Sequence, residues 1–332
     1  MTLNIIDAME GEFRPWFFDE RDPHSWNSWK VVLKAAHALP MSEAELATFR
    51  ELAGGRDPPR QRVHEIVIIA GRRCGKDSVS SLLAPYMAAI EQSHVGRLRP
   101  GEQCYIYCIA ADRDQAKAAH DLIRAYFAHV PGLKKMVKRE TRDGFELKNG
   151  VTIAIATNSF RAVRGRTASL VILDEVAFFR DEASASPDVE LYRALTPSLT
   201  TIPNSMMVLI STPYKRSGLL YDRWKDCYGK NDDRTLVIQA SSVQLNPLID
   251  LAEVEADREK DPLAAKSEWD GIWRDDVAAD VPLDVLEDAV DEGVTHRPPR
   301  RGVRYHGSAS KCSSSTRCTT SSPVRIATNG SF

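Results

Sequence analysis

The stretch HEIVIIAGRRCGKDS, residues 64–78, decides the fold. Its first half is a short apolar run rich in β-branched residues, which is typical of a buried strand in a parallel sheet. Its second half contains two glycines and Lys76, and it runs into SVSSLLAPYMAAIEQ, which we predict to be a helix. A strand, a glycine-containing loop with a lysine, and a helix in this order predict a loop that wraps phosphate groups.

Each part of this loop has a physical reason. Gly75 allows a tight turn and lets backbone N–H groups approach the phosphates. The helix N-terminus adds the positive end of its dipole, and Lys76 brings a mobile positive charge to the β- and γ-phosphates of a nucleotide. The residues expected to bind ATP here are Gly71, Arg72, Arg73, Cys74, Gly75, Lys76, Asp77 and Ser78.

The loop departs from the usual G-x-x-x-x-G-K-[ST] pattern at two positions. Ala70 occupies the first glycine position, with Gly71 one place later, and Asp77 occupies the Ser/Thr position, with Ser78 beside it. Asp77 or Ser78 could bind Mg²⁺, so both are predicted metal ligands. Taken alone, the loop also fits an ordinary strand–helix turn with a surface lysine.

A second apolar run, residues 170–173, ends in Asp174 and Glu175. An apolar strand that ends in an aspartate is how P-loop ATPases direct a carboxylate at the shell of Mg²⁺, so Asp174 is a predicted metal ligand. The adjacent Glu175 can act as the general base on the attacking water. The alternative for an isolated pair of this kind is a strand end with solvated acids.

A third apolar run ends in Ser211 and Thr212, which we expect to emerge beside the acidic strand and to hydrogen-bond the γ-phosphate or the water. Phosphoryl transfer spreads negative charge over the γ-oxygens, which arginines can stabilise. Arg72 and Arg73 are therefore predicted to be catalytic together with Lys76 and Glu175. The arginines that precede the acidic strand are further candidates: Arg161, Arg164 and Arg166.

Two smaller questions stay open from the sequence. Cys74 is either a solvent-near thiol or a small loop filler. The adenine base could be held by Gln61 or by an aromatic residue such as Trp29.

The chain divides into four stretches by composition and pattern. These are a helical N-terminal segment (1–60), an ATPase core in which strands alternate with helices (61–245), a helical acidic extension or linker (246–292), and an irregular tail (293–332). Alternating strands and helices predict an α/β fold with a mostly parallel sheet flanked by helices. Within the core, Asn149-Gly150 predicts a type I′ hairpin turn, and Ser42 with Glu45 predicts a helix start.

Composition excludes several classes of protein. No apolar run reaches the roughly 18 residues that a membrane span needs, and the N-terminus has no secretory signal pattern, so no membrane is expected. Six scattered cysteines fit a reducing cytosol. The net charge is −2, so binding to DNA must depend on local basic patches. One patch comprises Lys134, Lys135, Lys138, Arg139 and Arg142, and its alternative interpretation is a solvated loop.

With these motifs in place, the chain resembles the ATPase half of the large subunit of tailed-bacteriophage terminases. The resemblance rests on GRRCGKD at 71–77, on RAVRGRT at 161–167 leading into SLVILDE at 169–175, and on LISTPYKRSG at 209–218. Trp26 and Trp29 ahead of the loop and EWDGIWRDD at 268–276 add to it. The resemblance covers roughly residues 20–280.

The resemblance implies a P-loop NTPase with a RecA-like ASCE core that hydrolyses ATP to move double-stranded DNA into a procapsid. It implies Asp174 at Mg²⁺, Glu175 as the base, Ser211–Thr212 as the coupling motif, and Arg72 or Arg73 as the activating arginine. It further implies a homo-oligomeric ring on the portal protein, a small terminase subunit as partner, and a location in the bacterial host cytoplasm, transiently at the procapsid portal.

One departure from the family is expected from the tail. From Gly293 onward the sequence contains no Asp or Glu, whereas a two-metal nuclease needs clustered carboxylates. No nuclease activity is therefore expected from this chain, which could reflect a shifted reading frame or a decayed prophage gene. Two alternatives stay open: an inactive prophage remnant that binds the portal or small subunit without turnover, and another RecA-like DNA translocase or helicase.

Overall fold

The computed structural model describes residues 3–157, 165–179 and 187–274. The strands are β1 (Glu65–Ala70), β2 (Cys104–Ala110), β3 (Val137–Thr141), β4 (Gly144–Leu147), β5 (Val151–Thr157), β6 (Thr167–Asp174), β7 (Met206–Ser211) and β8 (Thr235–Ala240). The first six helices are α1 (Ile5–Glu10), α2 (Arg14–Phe17), α3 (Asn27–Ala36), α4 (Glu43–Leu52), α5 (Lys76–Pro85) and α6 (Arg113–His129). Later helices are α7 (Pro131–Met136), α8 (Pro187–Leu195), α9 (Leu219–Cys227), α10 (Ser242–Leu245), α11 (Leu251–Lys260) and α12 (Pro262–Glu268).

The eight strands form one sheet in the order β3-β4-β5-β2-β6-β7-β1-β8. From β5 to β8 every neighbouring pair is parallel, and only β3 and β4 at one edge are antiparallel. The central strands are buried along almost their whole length, as expected when helices cover both faces. The predicted α/β P-loop NTPase fold with a mostly parallel sheet is confirmed.

Strand order determines where the site lies. β7 lies between β1 and β6, and all three run in the same direction. Ile69 near the end of β1 pairs with Ser211, and Asp174 at the end of β6 pairs with Ile210. The three predicted motifs therefore emerge at the same edge of the sheet.

Two hydrophobic layers cover the sheet. One contains the N-terminal helices together with α5 and α6, and its fully buried side chains include Phe13, Trp29 and Phe49. The other packs α8 and α9 against the opposite face. The N-terminal segment thus shares a core with the sheet, and α4 starts with the predicted capping box of Ser42 and Glu45.

Some local predictions differ from the structure. The β4–β5 hairpin is present, but Gly150 has a positive φ and Asn149 does not, so the turn is not type I′, which needs both. The basic patch is not a loop: Lys134 and Lys135 lie in α7, and Lys138 and Arg139 lie in β3. The loop interpretation was wrong for these residues because pairing of β3 with β4 outweighs the polar composition of this edge strand.

The predicted helix after the phosphate loop continues beyond α5 as a π-helical turn, Tyr86–Glu91. Pro85 lacks a backbone N–H, which explains why the regular ladder changes there. Helices α11 and α12 lie in the first part of the predicted acidic stretch. The four domain boundaries stay predictions, and residues 275–332 lie outside the described part. Within that part, no helix combines the length and apolarity needed to cross a membrane.

Candidate functional site

The phosphate loop is a tight turn between β1 and α5. Arg73 and Gly75 both have positive φ, of 58° and 94°. A Cβ on Gly75 would lie 2.8 Å from the ring of Trp26, so only glycine fits there in both conformation and space. This turn places Lys76 at the first position of α5, with its side chain directed at the sheet edge.

Lys76 connects the loop to the other two motifs. Its Nζ lies 3.1 Å from Oε1 of Glu175 and donates to Oγ1 of Thr212 at 2.5 Å. The lysine is 5% exposed, so these contacts are formed in a nearly dry environment. Residues that lie 99 and 136 positions from Lys76 therefore meet it at one point, as the strand order requires.

Glu175 is held in a defined orientation. It has a φ of 52°, and its Oε2 accepts hydrogen bonds from Oγ of Ser211 at 2.8 Å and from the backbone N–H of Thr212 at 3.2 Å. Positive φ at a non-glycine residue is uncommon and is typical of functional sites. Ser211 is fully buried behind the carboxylate, whereas Thr212 reaches the lysine.

Asp174 has the chemistry of a metal ligand. The residue as a whole is half-buried, but its Oδ1 is sealed from solvent and has no hydrogen-bond partner in the described part of the chain. Burial, followed by the charges of Glu175 and Asp77, raises the pKa of Asp174 to about 7, against the opposing effect of Lys76. A buried carboxylate oxygen without a partner is costly, and a cation would satisfy it.

The residues present fit Mg²⁺ better than a metal held by many side chains. Among the described residues, no group of three or more His, Cys, Asp or Glu side chains is arranged to hold a metal ion. Mg²⁺ is usually bound by one or two carboxylates together with phosphate oxygens and water. Asp174, with the exposed Asp77 nearby, matches that need.

A pocket of about 600 Å³ opens at this sheet edge, within the range of small-molecule sites. It is lined by Arg72, Arg73, Gly75, Lys76, Asp77, Ala111, Asp112, Gln115, Glu175, Phe178 and Thr212. Seven of these were predicted from sequence. Five other predicted site residues do not line this pocket: Gly71, Cys74, Ser78, Asp174 and Ser211.

Four lining residues were missed by the sequence analysis: Ala111, Asp112, Gln115 and Phe178. Asp112 starts α6, where its side chain accepts the N–H groups of Asp114 and Gln115. A signal was present, because the residues after β2 follow a predicted parallel strand and must reach the same edge as the other strand ends. Phe178 lies in a 3₁₀ turn, Val176–Phe178, that no local pattern indicates.

The arginines differ in their placement. Arg72 and Arg73 are exposed and line the pocket, and Arg72 also pairs with Glu268 of α12 at 3.1 Å. The Arg166 guanidinium lies 4.6 Å from the ring centre of Tyr105, and it does not line the pocket. Arg161 and Arg164 lie outside the described residues.

The two open questions are partly answered. Cys74 is 1% exposed, and burial raises the pKa of its thiol to about 11, so it is a loop filler and not a solvent-near thiol. Trp29 is fully buried with its indole N–H bonded to the carbonyl of Cys74, which excludes stacking on a base. Gln61 does not line the pocket.

Comparison with known proteins agrees with a P-loop domain. A family model described as "Uncharacterized protein MJ0330, N-terminal P-loop domain" matches residues 40–271, more than half of the chain. No protein of curated function matches the sequence.

The chain is also similar to solved phage terminases. The HK97 bacteriophage large terminase has a TM-score of 0.49 and 19% identity over 64% of this chain and 47% of that one. The ATPase domain of the Thermus phage P74-26 large terminase has a TM-score of 0.47 and 18% identity over 70% and 98%. The large terminase of a thermophilic bacteriophage, in complex with ATP-gamma-S, has a TM-score of 0.47 and 13% identity over 75% and 53%.

This chain spans about half the length of the HK97 protein. Likeness at this level carries no activity over to this chain, which has to be argued from its own residues.

Proposed function

The chain belongs to the P-loop domain family whose model matches residues 40–271, and from this premise we propose that it binds ATP with Mg²⁺ and hydrolyses the terminal phosphate. One observation carries the proposal. Lys76 and Glu175 meet at 3.1 Å beside a pocket of about 600 Å³, with the unpartnered oxygen of Asp174 next to them. A cation for phosphates, a base for water and a carboxylate for a metal are the groups that this reaction needs.

Binding of the triphosphate is assigned to the loop. Lys76 is already almost dry, so a phosphate oxygen that replaces Glu175 as its partner would meet a charge with little competing water. Oγ1 of Thr212 accepts a hydrogen bond from Nζ and so orients the lysine toward the pocket. Asp174 and Asp77, or Ser78, would hold Mg²⁺, which neutralises charge on the phosphate oxygens when bound.

Glu175 is the proposed general base. Ser211 and the N–H of Thr212 both bind Oε2, which leaves Oε1 to face Lys76 and the pocket. Once a phosphate draws the lysine away, Oε1 is free to accept a proton from water aligned with the γ-phosphorus. The hydrogen bonds to Oε2 keep the carboxylate from rotating away.

Arg72 and Arg73 are proposed to stabilise the charge that develops on the γ-oxygens. Both line the pocket, and both are exposed enough to move. The ion pair between Arg72 and Glu268 is solvent-exposed, and pairs of this kind contribute only about 0–1 kcal/mol. A polyphosphate can therefore compete for this arginine.

We further propose that hydrolysis drives double-stranded DNA into a procapsid, as part of a ring on a portal protein with a small terminase subunit. The three motifs, at residues 71–77, 161–175 and 209–218, support this role by their resemblance to terminases. Two other roles stay possible outcomes of the test: a remnant that binds portal or small subunit without turnover, and a different RecA-like translocase or helicase.

Steady-state phosphate release with and without double-stranded DNA tests the proposal. We expect DNA-stimulated turnover in the wild type and a loss of at least about 100-fold in Lys76→Ala, because the phosphates lose their principal cation. Lys30→Ala is a matched control, since Lys30 makes one ion pair with Glu10 and does not line the pocket. A wild type as silent as Lys76→Ala would favour the remnant, and separation of labelled duplex strands would favour a helicase.

A further inference from the structure

Three consecutive carbonyl groups of the phosphate loop accept hydrogen bonds from side chains outside the loop. The carbonyl of Arg72 accepts from Oγ of Ser242 at 2.7 Å, and that of Arg73 accepts from Nδ2 of Asn246 at 2.9 Å. The carbonyl of Cys74 accepts from the indole N–H of Trp29 at 2.6 Å. None of the three donors lines the pocket, so they approach the loop from its outer side.

The geometry of the peptide bond links the direction of these carbonyls to the direction of the N–H groups that follow them. No peptide in the described chain is cis, and in a planar trans peptide the C=O and the following N–H point in opposite directions. Holding the carbonyls of residues 72, 73 and 74 outward therefore directs the N–H groups of residues 73, 74 and 75 inward. The inner side is the one on which Arg73, Gly75 and Lys76 line the pocket.

We propose that Trp29, Ser242 and Asn246 are positioning residues that aim the N–H groups of Arg73, Cys74 and Gly75 at a bound polyphosphate. This inference rests on the proposed function and deepens it, because it names side chains that prepare the anion cradle without touching the ligand. Successive N–H groups that converge on one point form an anion-binding concavity. Its affinity depends on their being oriented before the ligand arrives.

The three donors come from opposite ends of the described chain. Trp29 lies in α3 of the N-terminal segment, whereas Ser242 begins α10 and Asn246 follows it. Trp29 and Ser242 are fully buried, so water competes little with their bonds, whereas Asn246 is half-buried and its bond to the loop is exposed. The helical N-terminal segment and the residues after β8 are thus both parts of the nucleotide site.

Close packing restricts the loop in the same orientation. A Cβ on Gly71 would lie 2.7 Å from the carbonyl oxygen of Trp269 and 2.8 Å from that of Glu268. On the other side, the ring of Trp26 packs against Gly75. Neighbouring groups therefore pack closely against both the start and the end of the loop backbone.

The test compares Trp29→Phe with Trp224→Phe. Both changes remove an indole N–H that donates one hydrogen bond, in the control to Gln239 at 2.8 Å, away from the loop. Calorimetric titration with inorganic tripolyphosphate and Mg²⁺, well below the unfolding temperature, measures the cradle without the base or ribose. We expect Trp29→Phe to weaken tripolyphosphate and ATP alike by about five- to tenfold, the usual weight of one hydrogen bond, and Trp224→Phe to leave both unchanged.

A second readout separates positioning from folding. In ¹⁵N-glycine-labelled protein, the Gly75 amide proton should shift downfield on binding tripolyphosphate, and this shift should shrink in Trp29→Phe. If Trp29→Phe fails to fold, Asn246→Ala replaces it as the test variant, because Asn246 is only half-buried. This variant should weaken tripolyphosphate binding in the same way. Wild-type affinity in a folded Trp29→Phe or Asn246→Ala variant overturns the inference alone, whereas a wild type that binds neither ligand overturns the proposed function with it.

Discussion

Two carboxylate clusters, one buried and one half-buried, lie at opposite ends of the same sheet. At the start of β1, Glu65 is 7% exposed, and its oxygens accept from Nε of Arg223 at 2.8 Å and from the hydroxyl of Tyr192 at 3.1 Å. At the end of β6, Asp174 has an oxygen without a partner in the described part of the chain, and Glu175 shares its lysine with Thr212.

The difference shows that neither burial nor pocket size identifies a functional site. Each end of the sheet has a pocket of similar volume, about 600 Å³ beside Glu175 and about 620 Å³ beside Glu65. What differs is whether the charged groups have partners. The Glu65 cluster pairs its charges, whereas the cluster at the end of β6 keeps a carboxylate, Asp174, whose pKa is raised to about 7. Unpaired, perturbed groups in a cleft are typical of ligand sites, and paired ones are typical of structure.

The largest effect should come from Glu175→Gln. This change keeps the shape of the side chain but removes its basicity, so hydrolysis should fall by about 10²- to 10⁴-fold while ATP still binds. Single-turnover hydrolysis and equilibrium titration with ATP measure the two steps separately. Glu146→Gln is a matched control, because Glu146 pairs with Arg139 on the β3–β4 hairpin and does not line the pocket. Equal hydrolysis rates in Glu175→Gln and the control would show that Glu175 is not the general base.

The opposite pattern is expected for Glu65→Gln. Removing one partner of a buried pair leaves Arg223 without its counter-charge. Because the Arg223 side chain is 24% exposed, we expect a loss of about 2–3 kcal/mol in the free energy of unfolding, below the 3–5 typical of full burial. Urea unfolding measures this loss, and phosphate release per folded molecule should stay at the wild-type level. A specific loss of turnover without a loss of stability would make this cluster a second functional site.

The smallest effect is a pH dependence of stability without metal. Asp174 has a folded pKa of about 7 against an ordinary value of 3.8, so the folded chain keeps this proton at pH values where the unfolded chain has released it. Stability should therefore be highest below pH 3.8 with respect to this group, fall as pH rises toward 7, and then level off. Between pH 5 and pH 8 the loss should be about 2–3 kcal/mol.

Urea unfolding in EDTA at several pH values checks this dependence. Asp174→Asn should flatten the slope and be more stable than the wild type at pH 8, since no charge is then buried. Glu65→Gln should keep the wild-type slope while lowering the whole curve. If Asp174→Asn kept the slope as well, the proton would belong to another group.

The sequence predicts the parts of the fold and site that depend on local pattern. β1, β2, β6, β7 and β8 are each visible as short apolar runs, and strand direction alone brings Lys76, Glu175 and Thr212 to one edge. The hydrophobic pattern is sufficient here because strands buried on both faces need no alternation. The positions of these side chains follow from the topology of a parallel sheet.

Long-range pairing could not be predicted in this way. Glu65 and Arg223 are 158 positions apart, and the donors Ser242 and Asn246 reach the loop from residues about 170 positions later. No periodicity records such contacts, since they depend on where helices end and pack. The edge strand β3 and helices α8 and α9 were missed because tertiary pairing and packing decide them rather than propensity.

The central claim is that Lys76 and the Asp174–Glu175 pair share one ATP and its metal. A crystal structure of the chain with a non-hydrolysable ATP analogue and Mn²⁺, with the ion located by its anomalous signal, tests it most directly. We expect β- and γ-phosphate oxygens on Nζ of Lys76 and the manganese peak beside Asp174. A nucleotide bound away from Lys76, or a manganese peak distant from Asp174, would contradict it.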